Sequence, residues 1–442
     1  MTAAAAWALI VWIGGLGLAG RILPAGHSPM LRLAAAWPLG STVAAWLMGA
    51  ILLAGLPPSA PWVWACGAVL LLVVRPKDFD AFLAPPMVIA ALAWMAWTAG
   101  GESLARLASP YGDGDALVLW QRRGIALIEN GSLARDAADQ PLAGYPHAVS
   151  LLHAAGLAVG GMHGLAVAKA YAWLSVVSVL SCFGALLQEG GKRIAVAMGL
   201  AIVACLSPLT HHASTGYADT PFTAHVALVA TLLLTHRCTW RLATLLGIVA
   251  GAAAFTKREG EALLLVTMGV AAFEPALDPV SGRGLLLRRL TTPLWVLAAA
   301  IVVMVPEILI RIVQGLPWPS GVGRFDPLRL PAVLDAIVAD PVLLSMAIPV
   351  LGVAALTPAV LLAPRELARL ATGPLRAATL LVAGLSVSYI AAILATPMWV
   401  STQVETAGSR LLMHLVPAAL LVAVFALGPR ADRDPMARWN SD

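Results

Sequence analysis

The chain has 442 residues, 60% of them apolar and only 12% charged, with a net charge of +5. Soluble domains carry about a quarter charged residues, so a water-soluble fold of this length is excluded, as are disorder and a disulfide-stapled secreted scaffold. The apolar runs are about 20 residues long and do not alternate, which predicts an all-α polytopic membrane protein.

In chain order, apolar runs fall near 3–23, 31–55, 60–74, 82–100, 165–187, 193–210, 221–235, 241–256, 260–273, 293–310, 341–363, 375–396 and 411–428, so about 13 transmembrane helices are expected. The first run has no charged segment before it and Arg21 and Arg32 after it, the reverse of a cleavable signal peptide. It is read as a span that starts outside. The stretch 145–161 is ambiguous, because it is apolar but holds His147, His153 and three glycines. If it lies at the membrane surface, 17 basic residues fall on the inner side and 10 on the outer. If it crosses, that bias inverts. The positive-inside rule selects the first topology, with the N-terminus outside and the C-terminus cytoplasmic. The outer side then holds 14 of the 23 acids, mainly in the long loop 101–144 and at short turns between spans. Ionisable groups at a membrane edge are costly unless paired, which makes them functional candidates.

The four cysteines, Cys66, Cys182, Cys205 and Cys238, stand singly without CxxC spacing, pointing to neither a zinc site nor a disulfide framework. In the long loop, Asp113 and Asp115 precede an apolar stretch ending at Trp120. The plain reading of Asp115 is a helix cap. The functional one is a general base held at the membrane edge, a role Asp113 shares as a candidate. Tyr145-Pro146-His147 then opens a helix, and His147 is either a hydrogen-bonded structural residue or a contact to phosphate or acceptor. The loop Tyr217-Ala218-Asp219-Thr220-Pro221 follows, preceded by His211 and His212, whose adjacent side chains diverge on a helix and make a poor chelate. In Thr256-Lys257-Arg258-Glu259-Gly260 two cations sit on the outer side against the topological bias, as they would to hold an anion. Finally, Arg410 and His414 lie one helical turn apart at the start of the last span.

Taken in order, these motifs resemble the bacterial GT-C-type membrane glycosyltransferases, in particular a branch related to the protein O-mannosyltransferase and aminoarabinose transferase group. That branch carries Trp-Asp-Ala-Leu-x-x-Trp, Pro-x-Tyr-Pro and Thr-Lys-Asn-Glu-Gly. Here those positions read Gly114-Asp115-Ala116-Leu117-Val118-Leu119-Trp120, Ala143-Gly144-Tyr145-Pro146 and Thr256-Lys257-Arg258-Glu259-Gly260. Gly114 and Arg258 depart from the pattern, and Asp113 has no counterpart in it. The resemblance covers about 85–425. It implies a GT-C fold with a periplasmic first-loop active site in a bacterial inner membrane, and an inverting transfer from a polyprenyl-phosphate-linked sugar to a glycan, lipid or protein acceptor. It makes Asp115 the base and Asp219 the second acid. Lys257, Arg258 and Arg410 would neutralise the lipid phosphate, with Glu259, His147, Tyr145 and His414 as further substrate contacts. No cofactor is fixed, a divalent cation stays open, no protein metal ligand is assigned, and nucleic acid is not a partner. The chain divides into 1–81, transmembrane helices of open role; 82–428, the catalytic module, whose 101–164 stretch is an outer loop with surface helices; and 429–442, a cytoplasmic tail. The rival readings are a transporter or flippase of lipid-linked sugars, for which an inverted repeat is expected and not found, and a membrane scaffold.

Overall fold

The computed structural model describes residues 2–24, 27–75, 78, 85–109, 116–131, 145–236, 240–273, 283–316, 325–362, 373–396 and 400–427. All regular structure among them is helical. The N-terminal part forms α1 (Thr2–Ile22), α2 (Pro29–Leu53), α3 (Ala60–Leu71) and α4 (Pro86–Ala108). Ser28 caps α2 by accepting from the Leu31 amide at 3.2 Å, and Pro29 follows in the first turn, where a missing N–H costs nothing. After α4 come a π-helical turn (Ala116–Gln121) and α5 (Arg122–Glu129).

The segment expected to lie along the surface, 145–161, opens α6 (Ala148–Gln188). This helix breaks at Gly161, whose φ of 58° and ψ of −148° suit a residue without a Cβ. The turn is sharp. A Cβ on Gly164 would stand 1.9 Å from the carbonyl oxygen of Gly156, although eight residues of straight helix span about 12 Å. The first part of α6, Ala148–Ala166, is one of the segments long and apolar enough to cross a membrane, which departs from the surface position expected for 145–161. Its early residues are buried among neighbouring helices and do not form a free surface helix.

Next come α7 (Arg193–Ala204), α8 (Ser207–Thr215), α9 (Asp219–Thr235), α10 (Trp240–Thr256), α11 (Glu259–Phe273) and α12 (Arg283–Gln314). The expected span 193–210 is thus two helices bent by 54°, broken just before Pro208. Helices α10 and α12 cross at backbone distance. Cβ atoms on Gly247 and Gly251 would lie 2.2 Å from the Val296 carbonyl oxygen and 2.7 Å from Ala300 Cα, the close approach that small residues four apart permit. The chain ends with α13 (Leu330–Ala339), α14 (Pro341–Leu362), α15 (Gly373–Ala395), α16 (Val400–Gln403), a π-helical turn (Val404–Gly408) and α17 (Ser409–Ala426).

Among the described residues, seven helices are long and apolar enough to cross a membrane, or up to nine if two bent pairs each count as one span. This is the pattern of a multi-pass membrane protein. It is fewer than the 13 spans expected, in part because the apolar helical stretches Ala60–Leu71, Pro86–Thr98, Asp219–Thr235 and Trp240–Thr256 are only 10–17 residues long, and at about 1.5 Å per residue they reach only ~15–26 Å. The apolar runs of α9 and α10 mark helices buried by protein on most sides, whereas α3 buries only Val63, Cys66, Gly67 and Leu70. The residues 1–81 are not a separate layer: Trp7 of α1 and Trp37 of α2 both set their rings against Tyr171 of α6, at 5.9 and 5.5 Å.

Candidate functional site

The motifs separated in sequence meet around the first turn of α9. Gly216, at φ 83°, ends α8 in the left-handed conformation and turns the chain into Tyr217-Ala218-Asp219. Asp219 is fully buried. Its carboxylate does not cap the helix: Ala218 occupies the cap position, with no side-chain bond there. Instead Asp219 Oδ1 accepts from Lys257 Nζ at 2.7 Å and from His414 Nε2 at 3.1 Å. Its second oxygen, Oδ2, has no hydrogen-bond partner.

Lys257 reaches Asp219 because the chain reverses tightly between α10 and α11. Gly260 is required for that: a Cβ there would lie 2.1 Å from the Ala253 carbonyl carbon. The Lys257 ammonium also lies 2.9 Å from Glu259 Oε1. Burial opposes its charge, yet the Asp219 and Glu259 carboxylates beside it hold its pKa above the ordinary lysine value. Lys257, expected as a phosphate contact, sits between two carboxylates in this structure.

His414 comes from the last helix. A carboxylate only accepts, so the Nε2 facing Asp219 carries the proton, and Nδ1 accepts from the Tyr389 hydroxyl at 3.3 Å. Phe222 closes against the ring edge-on at 4.7 Å. Arg410, one turn earlier, lies over the Tyr217 ring at 5.9 Å and is close enough to act on the Lys257 charge. Arg258 is half-buried and faces the charge of Glu261.

The first-loop helix packs on the same place. Trp120 is buried, edge-on to Tyr145 at 6.3 Å and 6.1 Å from Tyr217. Three motif aromatics thus form one cluster with Ala116, Val149 and Ala218. Asp113 and Asp115, the two candidate bases, lie outside the described residues.

A second buried ionic group holds the far end of the loop. The backbone N–H and Nδ1 of His147 donate to Glu307 Oε2 at 2.9 and 2.8 Å, and Arg311 Nε donates to Glu307 Oε1 at 2.6 Å. Arg123 Nη1 donates to the Tyr145 carbonyl at 2.9 Å. His147 is thus held by Glu307 through its backbone N–H and Nδ1. Glu307, Arg311 and Arg123 were not singled out in the sequence. The available signal was an acid inside an apolar run with a base four residues on, which pair on one helix face.

Beside the Asp219 turn lies a small cavity of about 30 Å³, walled by α2, α6, Tyr217, Pro221 and Thr256. Among the described residues no three His, Cys, Asp or Glu side chains come together as a metal site, and Cys66, Cys182 and Cys205 are in no disulfide. His212 stacks on Tyr217 at 4.6 Å. No family model, curated protein or solved structure matches this chain.

Proposed function

We propose that this protein is an inverting glycosyltransferase that moves a sugar from a polyprenyl-phosphate donor to an acceptor hydroxyl at the extracytoplasmic face of a bacterial inner membrane, in a GT-C-like fold. The observation that supports it best is the convergence of Asp219, Lys257, Glu259 and His414, drawn from three distant motifs, into one ionic network beside the first-loop helix. A membrane lipid is the donor this reading needs, since nucleotide sugars stay in the cytoplasm. In the reaction, Asp115 takes the proton of the acceptor hydroxyl as its oxygen attacks the anomeric carbon, and the lipid phosphate departs with the bonding pair. Asp219, fixed through Oδ1 by Lys257 and His414, offers Oδ2 to orient the acceptor. Arg410 and Arg258 are the cations this reading assigns to the phosphate, each contact worth roughly 1.5–3 kcal/mol. Preorganised charge and positioning then carry the catalysis.

Donor binding and donor turnover test this separately. Arg410→Ala is expected to weaken binding of a polyprenyl-phosphate sugar about tenfold or more, since ~1.4 kcal/mol is a factor of ten. Asp115→Asn is expected to bind donor almost normally and to fail at transfer. Equal turnover by Asp115→Asn and wild type would remove the base assignment. A transporter is the second reading, favoured by one observation: the Asp219–Lys257–His414 network is buried within the helix bundle, as proton and ion relays are. Proteoliposomes that accumulate solute without releasing polyprenyl phosphate would decide for it.

A further inference from the structure

Helix α13 has ten residues, and Asp335 is its one polar side chain. A helix that is apolar on nearly every side has to be covered on nearly every side. Protein covers one side. Val333 is buried with Leu343, Ile393, Leu394 and Val404, and Ala336 and Ile337 pack against that cluster. Those partners belong to the first turn of α14, the last turn of α15 and the π-helical turn that leads into α17. Helix α13 therefore lies across the ends of three apolar helices of 22, 23 and 18 residues. Its approach is tied to the same ends: the Asp326 N–H donates to the Leu394 carbonyl at 3.2 Å, and Arg329 Nη1 donates to the Thr396 carbonyl. At its far end the chain turns by 112° into α14, where Asp340 Oδ1 accepts from the Val342 and Leu343 amides at 2.8 and 3.2 Å. At about 15 Å, α13 is too short to cross a bilayer core of about 30 Å.

The other side of α13 is exposed and divided. Leu330, Leu334 and Val338 fall four residues apart, so they form a stripe along one flank, and Leu334 and Val338 are 48% and 63% exposed. Leu328, just before the helix, is 87% exposed, and the stripe continues into exposed Val342 of α14. Asp335 is also exposed, but it is turned by about 100° from Leu334 around the helix axis. An apolar stripe beside an acidic one, on a short helix nearly at right angles to its neighbour, is the form of a helix that lies in a membrane surface. We infer that α13 lies in the plane of the membrane, at the boundary between acyl chains and head groups, with Leu330, Leu334 and Val338 among the acyl chains and Asp335 toward water. Its partner is the lipid surface and not a second protein, because the stripe leads onto the flank of α14, where Ile348 and Leu351 are exposed in a multi-pass membrane chain. The inference does not rest on the transferase reading.

The test is electron paramagnetic resonance on the full-length protein in vesicles of phosphatidylcholine and phosphatidylglycerol. A nitroxide is attached at Leu330→Cys, Leu334→Cys, Asp335→Cys or Val338→Cys, in a parent whose Cys205 and Cys238 are serine and whose buried Cys66 and Cys182 are kept. Relaxation by oxygen, which enters the acyl region, is expected to exceed relaxation by a water-soluble nickel chelate at 330, 334 and 338, with the reverse at 335. The three stripe positions are expected at one depth, whereas a helix running across the membrane would separate 330 from 338 by about 12 Å. Wild-type protein gives a second measurement: a phospholipid with a photoreactive group on its acyl chain is expected to label the peptide 325–339. That measurement decides alone if a variant does not fold or the parent takes up label. Stronger relaxation by nickel at 334 and 338, protection of both from either reagent as a protein partner would give, a depth difference near 12 Å, or an unlabelled wild-type peptide would overturn the inference.

Discussion

Lys257 places one ammonium between two carboxylates, and the balance of that arrangement decides what its loss does. Removing one partner of a buried pair strands the other charge, which costs about 3–5 kcal/mol. Lys257→Met is therefore expected to lower stability by about that amount in thermal unfolding of the detergent-solubilised protein. Adding Asp219→Asn to it should recover part of the loss, because the stranded charge is gone; strictly additive losses would show that the two do not interact. The pH dependence follows from the raised pKa of Lys257. Its stabilisation is fully present below the ordinary lysine value and is lost only as pH rises through the raised one. The difference in melting temperature between wild type and Lys257→Met should thus stay flat between about pH 7 and pH 9. Asp219, Lys257 and His414 were legible in the sequence because charged groups are scarce in this chain and these sit where apolar runs end. Their pairing was not legible, since no spacing tells which helix end meets which. Lys257 was read as a phosphate contact for that reason. Glu307 was missed for the opposite one: it lies within an apolar run and drew no motif around it.

At the scale of elements, small residues set the distances on which the site depends. The reversal between α10 and α11 brings Gly260 against Ala253, and the crossing of α10 and α12 brings Gly247 and Gly251 against Val296 and Ala300. Overpacking a close contact costs about 1–3 kcal/mol. Gly251→Leu is expected to destabilise by that much in the same unfolding assay, while leucine at Gly352, where a Cβ meets nothing within 4 Å, should be near neutral. Equal effects at the two positions would show that the α10–α12 contact is not the constraint. Apolar runs located most helices to within a few residues, as 31–55 did for Pro29–Leu53. They failed where the chain bends without leaving its apolar composition. Gly161 and the break before Pro208 are such places, because hydropathy averages over a kink.

For the whole molecule, composition alone indicated a helical membrane protein, and the helices are long and apolar enough for seven to nine crossings among the described residues. The number of spans was less legible, since an apolar run looks alike whether lipid or protein surrounds it. Orientation rests on the basic residues, and it predicts that cysteines placed at Ala137 and Gly190 are labelled from opposite faces of sealed vesicles. Labelling of both from one face would reverse the assignment for every later loop. The reading of the whole as a transferase meets its most direct test in the lipid it releases. Nanodiscs holding the wild-type protein, Asp219→Asn or no protein are incubated with the lipid-linked sugars and acceptors of a bacterial membrane extract, and polyprenyl phosphate is measured by mass spectrometry. The account predicts release by the wild type and only background release by a folded Asp219→Asn protein. Background release by the wild type, or full release by Asp219→Asn, would contradict it.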